Sequence, residues 1–126
     1  MKIIISNVSD KPLYQQIKDQ IKGAILQREL KEGELLPSIR ALANDIHVSV
    51  LTTRRVYDEL ETEGFITTKV GKGSFVASEN LELLQESKRH MVEIKLTEAW
   101  ETAQSLGIYK SELFSMMDLL FEEEDE

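Results

Sequence analysis

The strongest constraint on this chain lies between Ser38 and Gly64, where two short amphipathic segments leave room for only a sharp corner. Ser38 has the chemistry of a helix cap, and Ile39, Leu42, Ala43 and Ile46 follow on one helical face. His47-Val48 predicts a tight turn. Ser49 caps a further helix that ends near Glu63, with Gly64 placed as its C-terminal glycine. Two short helices joined by about three residues form a helix-turn-helix. The pattern then changes. Phe65-Ile66-Thr67-Thr68-Lys69-Val70 is β-branched and aromatic and predicts a strand. Gly71-Lys72-Gly73 predicts a hairpin turn and Ser74-Phe75-Val76-Ala77 the returning strand. A two-stranded ribbon directly after a helix-turn-helix is the layout of a wing.

The flanks complete the outline. Asp10-Lys11-Pro12 predicts a helix start, with Asp10 as cap and Pro12 in the first turn. Leu13, Ile17, Ile21, Ala24 and Ile25 carry that helix to about Arg28, and Glu32-Gly33-Glu34 reads as a loop. From Leu81 to about Leu106 the chain reads as helix again. There Val92, Leu96, Ala99, Ala103 and Leu106 form a coiled-coil-like stripe, extended by Leu84 and Met91. Gly107 breaks it. The last helix puts Tyr109, Leu113, Met116 and Leu120 on one face, with Phe114, Met117 and Phe121 beside them. The terminal Glu-Glu-Glu-Asp-Glu run reads as frayed and solvated. The expected fold class is therefore mainly α with a small β-hairpin. It comprises a winged helix-turn-helix domain over residues 11–78 and a two-helix dimerisation tail over 79–126.

Charge bears on the partner. The formal net charge of −8 looks unsuited to a nucleic-acid binder. Residues 1–78 nevertheless sum to +1, and residues 79–126 to −9. A near-neutral first segment binds phosphate if its basic residues share a face, and the acidic tail must then lie away from the DNA. The absence of cysteine excludes disulfides and cysteine metal sites. No apolar run approaches the roughly 18 residues of a membrane span, and the N-terminus has too short a run for a signal peptide. The expected location is cytoplasmic, with no membrane partner.

Three stretches resemble GntR-type regulators. Gly33-Glu34-Leu35-Leu36-Pro37-Ser38-Ile39-Arg40-Ala41-Leu42-Ala43 is similar to that family's glycine followed by LPSxRxLA. VSVLTTRRVYDELETEGFI at 48–66 resembles the recognition helix, and VGKGSFV at 70–76 the GRGTFV-type hairpin. The three occur in order across residues 12–77. Some 48 residues follow, too few for the large effector domains of most such regulators. Two short helices in that place resemble the YtrA-like subfamily, whose tail serves dimerisation and whose members often repress operons for membrane transporters. The resemblance implies a homodimeric repressor on a pseudo-palindromic operator in double-stranded DNA.

The helix wheel and the resemblance together choose the DNA-contacting residues. At about 100° per residue, Thr53, Val56, Tyr57 and Leu60 share the core face of the third helix. Leu51, Arg54, Arg55 and, nearer the edge, Thr52 point away. A recognition helix inserts that outer face and its first turn into the major groove. There arginine bonds guanine and an apolar side chain meets a thymine methyl. Ser49 combines a cap with a possible donor to phosphate. Arg40 matches the arginine that contacts DNA in the family motif. Gly71 matches the wing glycine that approaches the minor groove, flanked by Lys69 and Lys72. Two departures stand out. Val50 occupies a position where the family often has arginine, and Thr53 one that is usually apolar; the Thr53 hydroxyl should bond back along its helix. The bland reading of each residue is a solvated face, a cap or turn chemistry.

Dimerisation falls to Leu84, Met91, Val92, Leu96, Ala99, Trp100, Ala103, Leu113, Met117 and Leu120. No cofactor or metal is expected. His47 and His90 lack ligand partners at metal spacing, and His47 sits where the family usually has glycine. The wing's Gly-Lys-Gly-Ser lacks P-loop spacing, and no nucleophile elbow or paired-acid constellation appears, so the chain does not read as an enzyme. Two further readings stand beside the repressor. One is a protein-interaction module that docks a partner on the tail. The other is a sensor of an unidentified small-molecule effector, in a pocket lined by Trp100, Tyr109, Phe114, Met116, Met117 and Phe121.

Overall fold

The computed structural model describes residues 1–77 and 81–124. Its elements are α1 (Leu13–Leu26), α2 (Ile39–Ile46), α3 (Val50–Thr62), β1 (Ile66–Lys69), β2 (Gly73–Val76), α4 (Leu81–Ser105) and α5 (Lys110–Glu124). They group into two compact units, Met1–Leu84 and Gln85–Glu126. The boundary expected between residues 78 and 79 lies outside the described residues. The first unit is a winged helix-turn-helix: α1, α2 and α3 around one core, followed by the antiparallel β1–β2 hairpin.

That core is built from the predicted periodic positions. Ile17, Ile21 and Ile25 of α1 meet Leu42 of α2 and Val56, Tyr57 and Leu60 of α3, closed by Phe65, Ile66 and Val76 of the wing. Full burial of each such aliphatic side chain stabilises by about 1.5–3 kcal/mol. Thr53 is buried among them, and its hydroxyl donates to the Ser49 carbonyl at 3.1 Å, the predicted back-bond. The Tyr57 hydroxyl donates to the Pro37 carbonyl at 2.7 Å, tying α3 to the segment before α2.

Several expectations need correction. Asp10 does not cap α1. Pro12 itself stands at the cap position without a side-chain cap bond, because its fixed φ of −56° already sets the chain for the first turn. The helix stops at Leu26 rather than near Arg28, since Arg28 is left-handed with φ 62°. The segment before α1 is docked on it. Ile4 N–H donates to Gln20 Oε1 and Gln20 Nε2 donates to the Ile4 carbonyl, while Gln16 bonds both backbone groups of Ser6 in the same way.

Residues 33–36 are more than a free loop. Gly33 and Leu36 donate to the Val76 and Ser74 carbonyls, Val76 donates to Glu34, and Leu35 makes a single bridge to Phe75, so the loop is pinned along β2. The hairpin strands are shorter than predicted, with Ile66 facing Val76 and Lys69 facing Gly73. Phe65 and Ala77 still share one backbone bond beyond them. Gly107, with φ 73°, does break the tail helix. The terminal acidic run is not frayed as far as Glu124, which is helical; Asp125 and Glu126 lie outside the described residues.

Candidate nucleic-acid interface

The corner of the helix-turn-helix is set by two serines and one histidine. Ser38 accepts from the Ala41 N–H and so starts α2. His47 ends it in the left-handed region at φ 57°, a conformation costly for most side chains and tolerated more readily by histidine than by β-branched residues. Its N–H donates to the Ala43 carbonyl. Ser49 accepts from the Thr52 N–H at 3.0 Å, capping α3. Its own hydroxyl proton is not left free, however. It goes to Thr52 Oγ1 at 2.9 Å, so the spare donor of the pair sits on Thr52.

α3 buries Thr53, Val56, Tyr57 and Leu60 and turns Leu51, Arg54 and Arg55 outward. Leu51 is 78% exposed. The two arginines differ sharply. Arg55 stacks on the Tyr14 ring, 3.5 Å from its centroid, and donates to Glu59 at 2.8 Å. Arg54 meets no protein partner among the described residues. Arg40 is likewise exposed, without the Asp45 partner that a bland reading would give it. With Ala43, Asn44, His47, Val48 and Val50 it lines a shallow cleft of about 360 Å³ between α2 and the start of α3.

Glu59 belongs to a larger network. Lys18 lies 2.8 Å from Glu59 and 2.9 Å from Glu63, and Lys22 also pairs with Glu63. Hydrogen bonds from Lys18 and Arg55 hold the Glu59 carboxyl below the usual range. Neither Tyr14 nor the Lys18 cluster was singled out from sequence. The spacing of Arg55 and Glu59 is a legible helical pair, but the stack on Tyr14 crosses between helices and leaves no local pattern.

In the wing, Lys69 lies over the Phe75 ring at 5.0 Å, and Lys72 N–H donates to the Lys69 carbonyl across the turn. Val70, at the tip, is fully exposed. Gly71 has φ 75°, and a Cβ there would meet nothing within 4 Å. Its backbone is therefore open to approach from outside.

The residues assigned to dimerisation separate into two groups. Leu84 packs against the core of the first unit. Ala103 is buried and Leu113 half-buried within the tail. Met91, Val92, Leu96, Ala99, Trp100, Met117 and Leu120 are exposed, and so is Ile94, which the stripe did not include. The aromatic and methionine side chains that the sensor reading assigns to a pocket are all exposed, Trp100 least so at 39%. Among the described residues no group of three metal-binding side chains assembles. None of the described helices is long and apolar enough to cross a membrane.

Comparison with known proteins follows the same outline. The family model described as "Bacterial regulatory proteins, gntR family" matches residues 13–76. The chain is 36% identical over 105 residues to the uncharacterized HTH-type transcriptional regulator YhcF of Bacillus subtilis, covering 83% of this chain and 86% of that one. It is 35% identical to the HTH-type transcriptional repressor YtrA of the same organism, covering 79% and 77%. Among solved structures, a GntR family transcriptional regulator from Listeria monocytogenes superposes with a TM-score of 0.76 at 26% identity, over 87% of this chain and 96% of that one. The DNA-binding domain of AraR, solved in complex with an operator, superposes at 0.52 with 26% identity, over 61% and 93%.

Proposed function

This chain belongs to the gntR family of bacterial regulatory proteins, and we propose that within it the chain acts as a homodimeric repressor of a pseudo-palindromic operator. It is a DNA-binding transcription regulator, as its relatives are, and not an enzyme. Repression is inferred from the likeness to the YtrA repressor. A transporter operon as target rests on the subfamily resemblance, and a cytoplasmic location on membership of a family of DNA-binding regulators. The reading takes no cofactor and names no effector.

One observation carries the choice of interface. Of the basic side chains on α1, α2 and α3, Lys18, Lys22 and Arg55 are ion-paired, whereas Arg40 and Arg54 have no protein partner among the described residues. Cations left unpaired where neighbouring cations are all matched are available for phosphate oxygens or a guanine edge. In this reading Arg54 reads a base, with Leu51 and the Thr52 hydroxyl beside it. Ser49 positions the turn, and Arg40 holds phosphate. Lys69 and Lys72 hold backbone on either side of Gly71. Arg55 must release Glu59 to take part, so its share is the smaller. The domains proposed are 11–78 for DNA and 79–126 for dimerisation, with the first turn of α4 serving both.

The test uses a duplex selected from a random library with the full chain. Arg54→Ala should weaken binding to that duplex by roughly 1–3 kcal/mol and flatten its preference over unrelated sequence. Lys72→Ala should weaken all duplexes alike and reduce the salt dependence. Wild-type affinity in an Arg40→Ala/Arg54→Ala double variant would sink the assignment. Repression is tested by transcript levels of neighbouring genes in a deletion strain, which should rise.

A further inference from the structure

We infer that Leu51 makes this regulator a thymine reader: its side chain packs on the 5-methyl group of one thymine in each operator half-site. The inference rests on the recognition-helix reading above and extends it to a base identity. α3 begins Val50-Leu51-Thr52, so the turn that enters a groove first offers two aliphatic side chains and a single hydroxyl donor. Val50 is half-buried and faces the cleft that it shares with Arg40. Leu51 is the outward member, 78% exposed, and it contributes nothing to the core face formed by Thr53, Val56, Tyr57 and Leu60. Its two outward neighbours on the helix are Arg54 and Arg55. The Arg55 head is turned onto Tyr14 and Glu59, so it is committed elsewhere. Arg54 has no such tether.

An isolated exposed leucine is ordinary on a protein surface. Here it stands in the first turn of the helix beside a free arginine, where polar side chains would otherwise carry the readout. Among the groups that base pairs present in the major groove, the thymine methyl is the apolar one. A leucine at this position therefore selects thymine over cytosine by contact with that methyl, and the thymine lies next to whatever Arg54 contacts. Burying one methyl-sized group against an aliphatic side chain is worth about fourfold in affinity.

The experiment replaces thymines by deoxyuridine, one at a time, in the duplex selected by the full chain. This removes the methyl and leaves every hydrogen-bonding group in place. Binding is read by fluorescence anisotropy. The wild-type chain should lose about fourfold at one thymine per half-site. Leu51→Ala should bind thymine and deoxyuridine duplexes equally at that position. Arg54→Ala should bind both more weakly while keeping their ratio. If no deoxyuridine weakens the wild type, or if the loss persists in Leu51→Ala, the thymine reading is overturned while the recognition-helix assignment stands on the Arg54 result. A Leu51→Ala chain that keeps the ratio while Arg54→Ala binds like wild type overturns both.

Discussion

Lys18 is the charged residue that joins α1 to α3 beside their apolar contact. It is 8% exposed and faces Glu59 and Glu63 together. Burial alone would favour losing its proton, but the hydrogen bonds and charges of the two carboxylates outweigh that, and its pKa is raised. Burial pushes the Glu63 carboxyl up; bonds from Lys22 and Lys18 outweigh it and hold the group low. Depressed carboxylates stabilise the fold above their unfolded pKa, and that contribution is lost as pH falls through the folded value. The raised lysine contributes fully below its unfolded pKa and loses its share only as pH rises through the folded value. Thermal unfolding should therefore be level near neutral pH and fall once the pH passes below the ordinary glutamate value of 4.5. Lys18→Met should lower stability at neutral pH by about 2 kcal/mol, less than for a fully buried pair because both carboxylates still touch water. It should also shrink the acid-side loss. An acid slope identical to wild type would show that the network does not couple to folding. Tyr57 makes a simpler case. Burial pushes its phenol up to about 12, so it donates to Pro37 at every practical pH, and Tyr57→Phe should cost about 1 kcal/mol in urea unfolding.

At the end of α3 one close approach bears on the next element. Gly64 has φ 87°, and a Cβ there would lie 2.6 Å from Leu83 Cδ2, so the same glycine closes α3 and seats the first turn of α4. Gly71 has a similar φ of 75° with open space around it. Gly64→Ala should add to the roughly 1–2 kcal/mol of the left-handed backbone only the turning aside of the Leu83 side-chain end, and Gly71→Ala should cost the backbone amount alone. Urea unfolding of the two variants separates crowding from conformation, and equal losses would remove the role given to Leu83. The α-helices and the hairpin were legible because their side chains repeat with the element. The buried face of α3, including the back-bonded Thr53, follows from spacing alone. The pinning of the 33–36 loop along β2 was not legible, since it uses backbone groups that Glu-Gly-Glu does not advertise. Nor were the paired bonds of Gln16 and Gln20 to the N-terminal segment, which join residues far apart in sequence. At the candidate interface, sequence identifies Arg54 and Arg55 as neighbours on one face. Only the position of Tyr14 on another helix tells the free arginine from the tethered one.

At the scale of the molecule, the tail poses a problem that a single chain does not solve. α5 has a broad apolar face opposite Ser111, Ser115, Asp118 and Glu122, and Phe114, Met116, Met117, Leu119, Leu120 and Phe121 are all exposed. α4 adds Met91, Val92, Ile94, Leu96 and Trp100. Exposed apolar surface of this extent is unusual for a soluble monomer. In the proposed homodimer a second copy would supply a matching surface by symmetry. Two recognition helices would then act on one duplex, and the second half-site contact would become intramolecular, raising affinity by about two orders of magnitude or more. The place to cut follows from Leu83 and Leu84. Ending the chain at residue 78 would strip both from the first unit, whereas ending it after Leu84 keeps the core whole. The 1–84 fragment should therefore unfold cooperatively as a monomer and bind a selected duplex about a hundredfold more weakly than the full chain. In sedimentation velocity the full chain should run as a dimer, and Leu96→Glu/Met117→Glu should shift it toward monomer while leaving the 1–84 core folded. A full chain that stays monomeric at micromolar concentration would overturn the homodimer, and a 1–84 fragment that dimerises and binds undiminished would place the dimer contact outside the tail.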